Sequence, residues 1–275
     1  MSLRQIVRQL RRGIPSTKYT RDYFLSESCD GFNEFRASHG LSYVKQQLVS
    51  RVAPAPGERI LEIGSGRGEV LLACADRGAE VVGLDYATDA VALTRDTCNG
   101  RARVLRGDAT TLPFREGSFS KVFLGDVLEH LTLPQARAMI VEAHRTLRPG
   151  GTLVLHTSPN VYFMHGILPW VIAGLWVIRK RSLARLFLKQ YRASWEYHAR
   201  EYSPGRLAKL FVGSPFQRVT VETDPDVLRA GRSQYTETLV SNALVRIAAK
   251  VASREPLLSV LGNDLWVAAV KDGKP

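Results

Sequence analysis

The stretch LEIGSGRG, residues 61–68, sets the carboxylate Glu62 ahead of three glycines at alternate positions, Gly64, Gly66 and Gly68, at the end of an apolar run. Without a Cβ, backbone can come within van der Waals distance of a ligand. A helix beginning just after such a turn presents free N–H groups and the positive end of its dipole, which suits an anionic or nucleotide-like ligand. The dinucleotide fingerprint is G-x-G-x-x-G, whereas this turn reads G-S-G-R-G-E, so a nicotinamide oxidoreductase is disfavoured. The plainer alternative is a tight turn with no ligand.

The elements around the turn have to aim it. LSYVKQQLVSRV, from about residue 40, predicts a helix ending before the Pro54–Gly57 turn, and RILEIG is the first strand. EVLLACADRG predicts a helix closed by Gly78, EVVGLD a second strand, ATDAVALTRDTC a helix and ARVLRGD a third strand. SKVFLGD, QARAMIVEAHRTL, a turn at Pro149–Gly151 and TLVLHTS continue the alternation. Strands and helices alternating at this spacing imply parallel β-α-β units with right-handed crossovers, hence an α/β, doubly wound sheet. In such sheets ligands sit beyond the carboxyl ends of the strands, where the glycine turn lies.

At 275 residues the chain can bury a full core, and 45% hydrophobic with 23% charged residues is ordinary globular composition. Lys plus Arg number 38 against 26 Asp plus Glu, which favours anionic partners: phosphorylated substrates, nucleic acid or an acidic lipid surface. The basic residues cluster at Arg4, Arg8, Arg11, Arg12, Lys18 and Arg21, and again from Arg179 to Arg200. Cys29, Cys74 and Cys98 lack disulfide or metal-ligand spacing, so no metal site is expected and a reducing cytoplasm fits. The N-terminus lacks the apolar core of a secretory signal.

Taken together, the motifs over roughly residues 40–160 resemble class I S-adenosylmethionine-dependent methyltransferases, in particular the small-molecule, ubiquinone-biosynthesis-like branch (methyltransferase type 11). The resemblance implies a mostly parallel seven-stranded sheet and S-adenosyl-L-methionine as cofactor. LEIGSGRG resembles the first motif, in which Glu62 and Gly64, Gly66 and Gly68 hold the methionine part. In VVGLDYA, Asp85 would accept hydrogen bonds from both ribose hydroxyls, and Tyr86 would lie against the adenine. RGDATTLPF sets Asp108 and Ala109 at the adenine edge, although an Asp in that place is often only a cap. FLGDVLEHL brings Gly125 to the cofactor and Asp126 to the substrate. Ser120 departs from the Asp common in the family at that position.

Proton removal from a hydroxyl acceptor suits histidine, and His130, His156, His165 and His198 are available. The resemblance favours His130, in the segment after strand four, and His198, in a late motif YHAREYSPGRLAKLF that borders the acceptor pocket together with Tyr202. No base-gripping tetrapeptide or pyrimidine-attacking cysteine follows strand four, so nucleic acid is disfavoured as acceptor.

Residues 161–178 carry no Asp, Glu, Lys or Arg, contain Trp170 and Trp176, and run into Arg179, Lys180 and Arg181. Pro169, Gly166 and Gly174 interrupt them, which favours an interfacial element over a span. An anionic membrane surface and a buried lid or dimer helix are equal alternatives, so an oligomer stays open. The chain divides into a basic arm and cap, 1–39, where Tyr19 and Tyr23 are placed to touch cofactor; a cofactor-binding core, 40–160; an apolar and basic insertion, 161–200; and the completion of the sheet, 201–275. RVTVET and DLWVAAV are strands six and seven, separated by a helical insertion around YTETLVSNALVRIAAKVAS.

The function expected is methyl transfer to an oxygen, less readily carbon or nitrogen, of a hydrophobic, glycan or lipid-linked small molecule, in the cytoplasm or peripherally at the inner membrane face. The alternatives are methylation of nucleic acid or protein, and a non-catalytic membrane-associated cofactor-binding protein.

Overall fold

A computed structural model describes residues 13–26, 29–38, 40–224, 247 and 250–273. Seven strands form one sheet: β1 (Arg59–Ile63), β2 (Glu80–Asp85), β3 (Ala102–Arg106), β4 (Phe119–Gly125), β5 (Leu147–Thr157), β6 (Arg218–Thr223) and β7 (Leu265–Val270). Their order is β3-β2-β1-β4-β5-β7-β6. β1 to β5 run parallel, whereas β7 is antiparallel to both β5 and β6. The order reverses at β1, so the carboxyl ends of β1 and β4 flank the crevice where ligands bind in doubly wound sheets.

β1 is apolar on both faces because both are covered. Leu61 and Ile63 pack with Val82, Leu84, Val122 and Leu124 under Met139 and Ile140 of helix α6 (Leu133–Thr146). Ile60, Val81 and Phe123 face helices α3 (Tyr43–Val52) and α4 (Glu69–Ala75) through Leu48, Val49 and Leu71. Each of these helices starts on a local signal. Ser42 caps α3, α4 begins at Gly68, and Thr132 with Gln135 forms a capping box ahead of α6. Helix α5 (Thr88–Cys98) links β2 to β3.

The N-terminal cap, with short helices α1 (Arg21–Phe24) and α2 (Phe32–Ser38), buries Ile14, Tyr19 and Phe24 against Ala87, Ala90 and Leu93. After β5 a π-helical turn, Tyr162–Ile167, leads into a hairpin of α7 (Leu168–Val177) and α8 (Arg181–Tyr197). Helix α9 (Pro204–Phe211) and the short α10 (Leu258–Leu261) precede β6 and β7 respectively. Among the described residues no helix is long and apolar enough to cross a membrane.

One detail differs from expectation. The turn anticipated at Pro149–Gly151 lies inside β5, because Leu147 already pairs with Phe119 and the register then shifts before Lys121 and Thr152 pair. The helical insertion between β6 and β7 falls mostly outside the described residues, as does the basic arm of residues 1–12.

Candidate active site

Gly64, Gly66 and Gly68 take φ of 77°, 53° and 83°, the left-handed region in which a side chain is strained. At two of them the missing side chain serves packing: a Cβ on Gly64 would lie 2.3 Å from Val127 and one on Gly68 2.9 Å from Thr94. Gly66 faces only the Phe24 ring of the cap, 3.7 Å away. Asp85 ends β2, buried, and accepts N–H bonds from Gly66 at 3.0 Å and Ala87 at 2.9 Å. The Tyr86 N–H also bears on this carboxylate, and the lone-pair capacity left over can accept from a ribose hydroxyl. Burial raises the Asp85 carboxyl above its ordinary range, and the N–H bonds partly offset that. Tyr86 donates its hydroxyl to the Ile14 carbonyl at 2.8 Å and so ties the end of β2 to the cap.

Glu62 is buried with Oε2 unpaired. Burial and the neighbouring Glu69 carboxylate push it well up, against the pull of Lys45. Between the glycines, Arg67 is buried as well. Its Nε and Nη2 bond Glu69 Oε1 at 3.0 and 2.7 Å, Nη1 bonds the Phe24 carbonyl at 2.8 Å, and Nη2 also reaches the Asp30 carbonyl. One side chain thus fastens the cap over the glycine turn. Tyr23, in that cap, packs edge-on to Tyr19 and against Tyr197. A buried carboxylate with one oxygen unpaired, a glycine with only ordinary van der Waals contact to the cap and a buried carboxylate at the end of β2 fit the ammonium, backbone approach and ribose of S-adenosylmethionine. Asp108 is exposed and accepts both the N–H and the hydroxyl of Thr110 at 2.8 Å, forming its own turn, while Ala109 packs on the core.

Beyond β4, a Cβ on Gly125 would meet Leu48 at 2.9 Å, so that glycine lets α3 pack closely. Asp126 has φ 55°, an uncommon value for a non-glycine residue. Its Oδ1 lies 3.0 Å from Nδ1 of the fully buried His156 and 3.2 Å from Ser158 Oγ, and His156 Nε2 lies 2.9 Å from Asp264. Glu129 is buried, accepts the Thr157 hydroxyl at 2.7 Å, and is pushed well up by burial and Asp126. His130 Nδ1 lies 2.6 Å from the Tyr197 carbonyl. Since a carbonyl only accepts, Nδ1 carries the proton and Nε2 the lone pair. Burial and the adjacent His198 depress the imidazole to about 4, which makes it a weak base.

His198 lies across the ring of His130, at 5.4 Å, and lines a cavity of about 610 Å³ with Thr132, His165, Arg200, Glu201 and Arg206. Glu201 sits between two imidazoles, 3.1 Å from His198 Nδ1 and 2.7 Å from His165 Nε2, and accepts from Ser194. Burial alone would raise Glu201, but bonds from His165, His198 and Ser194 overcome it and hold the carboxyl at about 2. Tyr202, expected at the acceptor, points the other way. It pairs strand-like with Asn160, so successive side chains alternate, and its ring is buried in the core with the hydroxyl unpaired.

Residues 61–155 match the family described as "Methyltransferase domain". That segment holds the glycine turn, Asp85 and the β4 exit. The chain is 34% identical over 121 residues to an uncharacterized methyltransferase of Synechocystis, covering 43% of this chain and 57% of the relative. It is 40% identical over 111 residues to a demethylmenaquinone methyltransferase of Beutenbergia cavernae, covering 40% and 45%. The chain spans about half the length of the curated relatives it matches. A Haloferax volcanii structure, a Trm112 methyltransferase activator with a putative methyltransferase, superposes with TM-score 0.61 at 18% identity, covering 92% of this chain and 97% of that one. Geranyl diphosphate C-methyltransferase from Streptomyces coelicolor superposes with TM-score 0.56 at 16% identity, covering 87% and 80%. These likenesses show the class I methyltransferase fold.

Sequence reasoning missed Arg67 and Glu129 within the matched segment and Glu201 beyond it. A buried arginine between glycines reads as a loop residue, since its partners lie 43 and 37 positions earlier on main-chain carbonyls. Glu201 did leave a signal, standing three residues after His198.

Proposed function

We propose that the protein is an S-adenosylmethionine-dependent methyltransferase acting on an oxygen of a hydrophobic, glycan or lipid-linked small molecule. The observation that carries it is Asp85, held by the Gly66 and Ala87 N–H groups at the mouth of the crevice, with the unpaired Oε2 of Glu62 behind the same turn. When bound, the cofactor supplies a methyl group on a sulfonium centre, and the protein supplies alignment. Asp85 would hold the ribose, Glu62 the ammonium, and Tyr86 with the cap aromatics would exclude water.

His198 is the better candidate for the proton acceptor. It borders the cavity, and Glu201 fixes its Nδ1 side so that Nε2 is free for an acceptor hydroxyl. His130, depressed to about 4, has little affinity for a proton. Asp126, at the β4 exit, would border the acceptor. The same reading places the protein in the cytoplasm and peripherally at the inner membrane face, where a lipid-linked acceptor is held. Carbon is the second reading for the acceptor atom, favoured by the matching demethylmenaquinone methyltransferases and by the geranyl diphosphate C-methyltransferase fold neighbour.

Titration with S-adenosylmethionine and, separately, NAD in a calorimeter tests the cofactor. Micromolar binding of the first and none of the second is expected, and the reverse removes the proposal. Mass spectrometry of extracts for a product heavier by one methylene, formed together with S-adenosylhomocysteine, identifies the acceptor and its atom.

A further inference from the structure

We propose that the α7–α8 hairpin is a docking element for an anionic phospholipid surface. Met164, Leu168, Ile172 and Phe187 bury the inner side of the hairpin. The outer side of α7 is left to solvent: Trp170 is 77% exposed, Val177 81% and Ile178 64%, with Val171 beside them. Positions 170, 171, 174, 177 and 178 recur at i, i+1, i+4, i+7 and i+8, which places them on one helical face spanning about 120°. An apolar stripe of this kind, left open on an otherwise well-packed chain, marks an interaction surface.

The charge beside it selects the partner. Arg181, Arg185, Lys189 and Arg192 of α8 recur at i, i+4, i+8 and i+11, a second stripe, and all four are exposed. Residues 161–195 contain Arg179, Lys180 and these four, and no Asp or Glu. A second copy of the hairpin would set like charges against each other. An anionic headgroup layer meets the basic stripe, while tryptophan and branched aliphatic side chains suit the acyl boundary beneath it. At ten residues α7 is too short to span, so the hairpin lies in the interface.

A cavity of about 470 Å³, lined by Val161, Tyr162, Gly166, Ile167 and Val260, opens at the root of the hairpin. It shares Val161, His165 and Arg206 with the cavity that holds His198. Delivery of a lipid-linked acceptor by this route rests on the methyl-transfer reading; the docking itself does not.

Flotation with vesicles of phosphatidylcholine alone, and with phosphatidylglycerol added, tests the docking. Binding should require phosphatidylglycerol and weaken with salt. The triple variant R181Q/R185Q/R192Q should lower partitioning by about a hundredfold. The variant W170S/V177S/I178S should abolish it, with circular dichroism and S-adenosylmethionine affinity unchanged. Absence of flotation at every composition overturns the proposal, as does flotation that ignores both variants. A dimer in sedimentation that W170S/V177S/I178S dissolves, or retention on DNA without vesicle binding, overturns it too. Vesicle binding by a protein that fails to bind S-adenosylmethionine upholds the docking and removes methyl transfer.

Discussion

Replacing Arg67 with Met keeps the length of the side chain and removes every bond its guanidinium makes. Three acceptors lose a donor: Glu69 and the carbonyls of Phe24 and Asp30. Breaking a buried ion pair costs about 3–5 kcal/mol when the remaining charge has no other partner. Glu69 retains Lys45 at 2.5 Å, so the low end applies, about 3 kcal/mol. The Asp30 carbonyl retains Lys45 Nζ at 3.0 Å, which leaves the Phe24 carbonyl to be satisfied by water, and that requires the cap to lift. Much of the loss should therefore appear as local opening rather than as global unfolding. Urea denaturation gives the global term. Amide hydrogen exchange followed by mass spectrometry gives the local one, as a loss of protection over residues 19–38 well beyond any change in Leu133–Thr146. Arg67→Lys should not rescue it, because one ammonium cannot span three acceptors. If the cap keeps its wild-type protection in Arg67→Met, the guanidinium is not what holds it down.

Asp85→Ala should weaken S-adenosylmethionine binding by about 1.5–3 kcal/mol in calorimetry, the worth of charge-assisted hydrogen bonds; unchanged affinity contradicts the ribose role. His198→Ala should lower turnover by about 10²- to 10⁴-fold at constant cofactor affinity, and His130→Ala should do less. The reverse order assigns the proton to His130. Glu201 is held at about 2 against an ordinary 4.5, so its stabilisation is complete above 4.5 and is lost as the pH falls toward 2. Thermal melts of wild type should drop across that window, and Glu201→Gln should lack this component. Glu62 is displaced upward, so its ionisation opposes folding increasingly as the pH rises above the usual carboxylate range. Glu62→Gln should therefore melt higher than wild type at pH 7 without cofactor, and a lower melt would show the buried carboxylate to be favourable.

The strands up to β5 were legible because each is an apolar run closed by glycine, proline or aspartate, and local chemistry decides such ends. The glycine turn and Asp85 were legible for the same reason, since their neighbours in space follow the strand order. Arg67 was not, because its bonds to the cap go to main-chain oxygens, which carry no sequence signal. Tyr202 was expected at the acceptor and lies in the core, whereas its neighbour Glu201 went unread, for one bridge to Asn160 sets the parity and a one-residue shift exchanges the faces. The apolar stretch at 161–178 was visible, but not its pairing with α8, whose basic stripe shows only once the helix is wound.

The place of β7 bears on how the chain reaches this state. β7 lies between β5 and β6 although it is synthesised after both, so β6 has no neighbour in the sheet until residues 265–270 arrive. The same segment brings Trp266 onto His156, and Asp264 just ahead of it meets the His156 ring. On the ribosome, β1 to β5 can assemble while β5 still shows an unpaired apolar edge, and closure waits for the last strand. A truncation just before Leu265 would expose the edge of β5 and leave β6 without a partner in the sheet. The nascent chain is therefore prone to misassociation until residues 265–270 emerge, after most of its core has already formed.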